Sequence, residues 1–181
     1  MITMTSKRKL ISAVAGLALL SVLGFTPATA QDAKTSPGLS FDGSVIHQEA
    51  HIPASPQRIY ETLLSTNDFD KVVKMGAAYR SGRLGAVPTK ISTAVGGEFT
   101  LFGGFVVGRN MELVPNVRIV QAWRENEWTP GVYSIVRIQL TPEVGGTKIL
   151  FDQAGFQADA GPHLTVGWQE NYWKPMAAMF N

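Results

Sequence analysis

The sequence predicts an α+β fold, a curved antiparallel sheet of about six strands wrapped round a long C-terminal helix, with two short helices after the first strand. Three observations carry this. Gly103-Gly104, Pro115-Asn116, Thr129-Pro130-Gly131 and Gly145-Gly146 cut the middle of the chain into short segments of strand character. Residues 160–180 are the longest helical candidate, with Leu164, Trp168, Tyr172 and Met179 on one stripe at roughly 100° per residue. A sheet with one apolar face needs a cover, and only this helix is long enough to supply it.

Taken in chain order, residues 1–30 read as a secretory signal. Ser6-Lys7-Arg8-Lys9 is the charged part, residues 10–25 are apolar, and Ala28-Thr29-Ala30 is a small-x-small cleavage site. The apolar run is shorter than the ~20 residues of a spanning helix and contains Gly16 and Gly24. Cleavage after Ala30 is expected, giving an exported chain, periplasmic or secreted, with no stable membrane anchor. Lys7, Arg8 and Lys9 exceed the whole +2 formal charge of the 181 residues, so the basic surplus leaves with the leader and gives no argument for nucleic acid. The absence of cysteine excludes disulfides, thiol nucleophiles and thiolate-bound zinc. Residues 31–42 read as a flexible mature N-terminus, and 43–181 as one domain.

Residues 44–52 have strand character and end at Pro53-Ala54-Ser55-Pro56, where Ser55 suits a helix N-cap and Pro56 a first helical position. Ile59, Tyr60, Leu63 and Leu64 form the apolar stripe of a first short helix. Asn67 can cap a second, carrying Phe69, Val72 and Val73 and ending at Gly76. Residues 77–90, with Gly82, Gly85 and Pro88, read as a long loop. The strands expected next are 98–102, 105–113, 118–124, 133–140 and 148–153. In the second of these, either Met111 and Leu113 or Asn110 and Glu112 face inward. Pro175 should disturb the final helix near its last turn, and Trp173 falls nearly opposite the apolar stripe.

Several motifs then occur in a telling order. They are His51-Ile52-Pro53-Ala54-Ser55-Pro56 with Ile59-Tyr60, Val95-Gly96-Gly97-Glu98-Phe99, and Phe102-Gly103-Gly104 with Gly108. Glu112-Leu113-Val114-Pro115 leads to Arg118-Ile119-Val120-Gln121-Ala122-Trp123-Arg124, followed by Tyr133-Ser134-Ile135-Val136, Gly146-Thr147, and Gly167-Trp168 with Asn171-Tyr172-Trp173. Together, over about residues 44–178, these resemble the Hsp-90 ATPase activator-like family of the SRPBCC (START, Bet v 1-like) superfamily. The resemblance implies a helix-grip fold with a cavity between sheet and helix. Two departures stand out. Gln153 occupies a position where relatives often show His, and the loop 77–90 is longer, without the Trp common near its start.

Period-two alternation assigns the wall of that cavity to Phe99 and Leu101, Gln121 and Trp123, Val136 and Ile138, and Ile149, Phe151 and Gln153, with Trp168 and Tyr172 from the helix. A buried amide needs partners, which a ligand, a water or the Trp123 indole would supply to Gln121 and Gln153. His47, Glu49 and His51 alternate on one strand face, which holds the imidazoles about 13 Å apart and reads as a solvated edge rather than a metal site. His163, after Gly161-Pro162, reads as exposed or packing. No nucleophile elbow, zinc-protease helix, phosphate loop or dinucleotide fingerprint occurs.

The expectation is therefore a binding protein for a small apolar or amphipathic ligand, with no catalytic residues, metal or cofactor assigned. Two alternatives stand beside it. One is a cyclase- or hydratase-like enzyme using Gln153, Tyr133 or Glu112. The other is a protein-partner or chaperone-cofactor module presenting a sheet edge or the 128–130 turn.

Overall fold

Alternating apolar residues, interrupted where glycine or proline permits a turn, produce seven strands in one antiparallel sheet. The computed structural model describes residues 45–157 and 159–181; the expected leader (1–30) and flexible start (31–42) lie outside the described residues. The strands are β1 (Val45–Ile52), β2 (Lys90–Ile91), β3 (Glu98–Leu101), β4 (Val106–Val114), β5 (Arg118–Glu125), β6 (Ser134–Glu143) and β7 (Gly146–Ala154). Their order across the sheet is β1-β7-β6-β5-β4-β3-β2. The seventh strand, beyond the six expected, is β2. Its two residues pair with Thr100 and Phe99 of β3, and two residues are too few to show a period.

Between β1 and β2 come α1 (Pro56–Leu64), α2 (Thr66–Met75) and α3 (Ala77–Arg80). The Ser55 hydroxyl accepts from Arg58 N at 3.3 Å and starts α1 as its sequence suggests. For α2 the cap is Ser65, not Asn67. Its backbone is extended, and its hydroxyl accepts from Asp68 N at 3.2 Å, so the helix begins earlier and takes Asn67 into its first turn. Gly76 ends α2 as expected. The short helix α3 interrupts what read as an unbroken loop. It is held because Asn171 Oδ1, from the C-terminal helix, accepts from Ala78 N at 2.7 Å.

In β4 a bulge between Asn110 and Glu112 shifts the register against β5. Asn110 is buried, Met111 is half exposed, and Leu113 packs against the core. Both expected alternatives are thus partly realised, because the extra residue resets the alternation midway.

The final helix runs as α4 (Gly161–Trp168), a π turn (Gln169–Trp173) and α5 (Lys174–Phe180). Lys174 N–H donates to Gln169 O, five residues back. Pro175 has no N–H to offer the carbonyl four residues earlier, so the turn ahead of it is free to widen. The wider turn corrects the placement of Trp173, which a regular α-helix would have turned away. Its ring is buried, and its indole N–H donates to Gln48 Oε1 at 2.8 Å. Gln48 Nε2 in turn donates to Thr165 O at 2.8 Å, tying β1 to the helix.

On the outer face of the sheet, Asp152 gathers His47 Nδ1 at 2.7 Å and Arg137 Nη2 at 2.6 Å. Glu49 pairs there with Lys148 at 3.0 Å. Partial burial pushes the Asp152 carboxyl up, but the hydrogen bonds and charges of His47 and Arg137 outweigh this and hold it below the usual carboxylate range. A depressed folded value means stability that is present above the unfolded value and lost as pH falls through the folded one. Asp152→Asn should cost on the order of 1 kcal/mol at neutral pH. In urea titrations the gap from the parent protein should close below about pH 4. A gap of constant size down to pH 2 would show that the carboxylate charge is not what stabilises the cluster.

Candidate functional site

Most of the space between sheet and helix is filled. Val136, Ile149, Phe151 and Gln153 are fully buried and border no cavity. Phe99, Leu101, Gln121 and Ile138 border a gap of about 10 Å³, no more than a water molecule requires. Open space lies instead at one end of the layer, in a cleft of about 240 Å³. Of the residues assigned to a cavity wall by alternation, Trp123, Trp168 and Tyr172 border this cleft.

Each wall has a local cause. Leu164, Trp168 and Tyr172 come from the helix, the last placed by the π turn. Trp123 and Glu125 come from the end of β5, where the alternation Ile119, Gln121, Trp123 continues one step to Glu125. Phe102 and Phe105 come from the β3–β4 connection, in which Phe102, Gly103 and Gly104 all have positive φ (52°, 68° and 94°). A Cβ on Gly103 would lie 2.3 Å from Gly85 O, so glycine here lets the 81–89 segment close onto the connection and bring Leu84 over the cleft.

The polar groups are few. The buried Glu125 carboxylate accepts from Trp128 Nε1 at 2.9 Å, and His163 Nε2 lies 3.0 Å and 3.1 Å from its two oxygens. Trp128 therefore packs inward against Trp123, at 5.7 Å between ring centroids, rather than being presented at an exposed turn. Asn171 is engaged twice, since its Nδ2 also donates to Gly167 O at 3.1 Å. Trp123 Nε1 and Tyr172 Oη, both buried, have no hydrogen-bond partner among the described residues. Burial pushes the Tyr172 phenol well above its ordinary range. The nearby Trp123 N–H offsets part of the rise without reaching hydrogen-bond geometry, and the Glu125 charge adds to it. The phenol is neutral at physiological pH.

The residues considered for catalysis are not brought together. Gln153 Nε2 donates to Ser134 Oγ at 2.8 Å and its Oε1 accepts from Trp168 Nε1 at 2.7 Å, so its amide is engaged by protein. Gln121 donates to Asn110 Oδ1 at 3.0 Å. Tyr133 is exposed beneath the Arg124 guanidinium, and Glu112 is held by two bonds from Arg118. His163, read from sequence as exposed or packing, has a half-exposed ring whose Nε2 meets the buried Glu125. Glu125 itself was missed. The available signal was a carboxylate at the inward position of an alternating strand. Among the described residues no group of three or more His, Asp or Glu is placed to hold a metal ion, and no helix is long and apolar enough to cross a membrane.

Comparison with known proteins agrees with this architecture. Residues 53–181 match the family described as "Activator of Hsp90 ATPase homolog 1-like protein". A Dictyostelium discoideum protein, "Activator of 90 kDa heat shock protein ATPase homolog", is 37% identical over 79 residues, which are 42% of this chain and 20% of that protein. The matched stretch is thus about a fifth of that relative's length. Among solved structures, an HSP90 activator from Plasmodium falciparum superposes with a TM-score of 0.64 at 17% identity, covering 76% of this chain and 96% of the other. A protein from Chromobacterium violaceum superposes with a TM-score of 0.58 at 25% identity, covering 75% and 96%.

Proposed function

From the premise that the chain belongs to the activator of Hsp90 ATPase homolog 1-like family, we propose that it is an exported binding protein for a small, largely apolar molecule, and that the ligand occupies the 240 Å³ cleft. The observation that carries this reading is the pair of buried, unpartnered polar atoms on an otherwise mostly apolar wall. A dry core does not leave such groups unpaired without cost, whereas ligand sites combine apolar walls with a few polar groups. Export rests on the charged, apolar and small-x-small succession of residues 1–30.

Gly167 supplies the test. It borders the cleft, and a Cβ built on it meets nothing within 4 Å. Gly167→Leu should therefore fill the cleft while favouring the helix. Native mass spectrometry of the protein exported by its own host should show a chain beginning at Gln31 with a bound small molecule. The Gly167→Leu protein should be folded and empty. An intact Met1 in the membrane fraction overturns export, and an adduct equally present in Gly167→Leu overturns the cleft.

A second reading, a protein-partner module, is favoured by the printed role of the relatives as activators of a chaperone ATPase. Co-purification with a second polypeptide, retained by Gly167→Leu and without any small molecule, would select it.

A further inference from the structure

We infer that the cleft recognises a neutral carbonyl oxygen, held between the indole N–H of Trp123 and the phenol O–H of Tyr172. This rests on the cleft being a ligand site and names the chemical class of what enters it. Both groups are buried, both border the cleft, and neither has a partner among the described residues. An indole N–H can only donate, so the group that completes it must accept. The phenol is neutral and donates as well.

The other polar groups narrow the choice. No lysine or arginine borders the cleft, whereas the Glu125 carboxylate does. A carboxylate or phosphate ligand would thus be buried beside a negative charge without a cation to offset it. An ammonium would leave the indole N–H unpaired. A hydroxyl would bring a proton of its own, and the acceptors at hand are engaged, Glu125 by Trp128 and His163 and the Asn171 carbonyl by Ala78. A ketone, aldehyde or ester oxygen has two lone pairs for two donors and no proton to place. The rest of the wall, with Trp168, Phe102 and Leu164, suits an aromatic or branched hydrocarbon body.

The test uses two probes of nearly equal shape, 2-acetylnaphthalene and 2-ethylnaphthalene, titrated into the purified protein with tryptophan fluorescence as the readout. The acetyl compound should bind at least about tenfold more tightly, the effect of about one good buried hydrogen bond. Tyr172→Phe should bring the two affinities to within a few-fold while leaving that of the ethyl compound nearly unchanged, and Trp123→Phe should reduce the preference in the same way. Because Trp123→Phe also removes a large core ring, Tyr172→Phe carries the decision. Equal affinity of the two probes for the unmodified protein overturns the carbonyl assignment and leaves the cleft reading standing. Failure of both probes to bind, in the unmodified protein as in Gly167→Leu, overturns the cleft reading itself.

Discussion

Replacing Trp168 with alanine should lower stability by about 3–5 kcal/mol, the range of large aromatic truncations in well-packed cores. Its ring lies 4.0 Å from that of Tyr172, 4.3 Å from Phe151 and 5.6 Å from both Trp123 and Trp173, measured between centroids. Removing it opens a hole that four aromatic neighbours cannot refill without leaving their rotamers. It also leaves Gln153 Oε1 without its donor. Urea denaturation should show a lower midpoint with little change in slope. Trp168→Phe keeps much of the ring area and should recover more than half of the loss. A midpoint unmoved by Trp168→Ala would mean that the helix does not dock through this residue.

Gln153→Leu should cost about 1–3 kcal/mol of stability and leave affinity for 2-acetylnaphthalene nearly unchanged. Alternation along β7 turned this side chain inward and made a ligand contact a reasonable expectation. In the structure, Ser134 and Trp168 occupy its amide instead, and Ser134 Oγ passes the chain of bonds on to Trp123 O at 2.9 Å. A leucine there strands a buried indole N–H and weakens the link between β6, β7 and the helix. Combining it with Trp168→Phe distinguishes this account from simple loss of volume. Without the indole N–H to strand, the Gln153→Leu penalty should shrink, a coupling that a double-mutant cycle reads directly. Strictly additive effects would show that the bond contributes nothing.

The strands were legible because glycine and proline mark their ends and alternation marks their faces. The expected segment 118–124, for example, meets β5 within one residue. What escaped was whatever a neighbour in space decides. α3 is held by Asn171, which lies 93 residues away, and β2 exists only because β3 lies beside it. Periodicity brought Trp123, Trp168 and Tyr172 into view as inward residues. It could not show that Phe151 and Ile149 pack solidly while space opens beside Trp123, because that difference depends on three left-handed residues at 102–104 and on where the 81–89 segment closes. Nor does any local pattern join Glu125 to His163, 38 residues apart.

The π turn at Gln169–Trp173 has a consequence for how the chain tolerates change in length. Geometrically, a π turn is an α-helix holding one residue more than its pitch accommodates. Deleting a single residue between 169 and 172 would let the turn relax to α and rotate everything after it by roughly 100° relative to α4. The buried Met176 and the half-buried Ala177 and Phe180 would then leave their present places against the core, even though no apolar residue had been lost. A one-residue insertion elsewhere in the helix has the same effect, unless it falls within this segment and the widened turn absorbs it. The helix thus behaves as two rigid pieces joined by a spacer, with cleft residues on one side and the anchor against α2 and β1 on the other. Changes of side chain can accumulate on either piece independently, whereas changes of length are confined to the spacer.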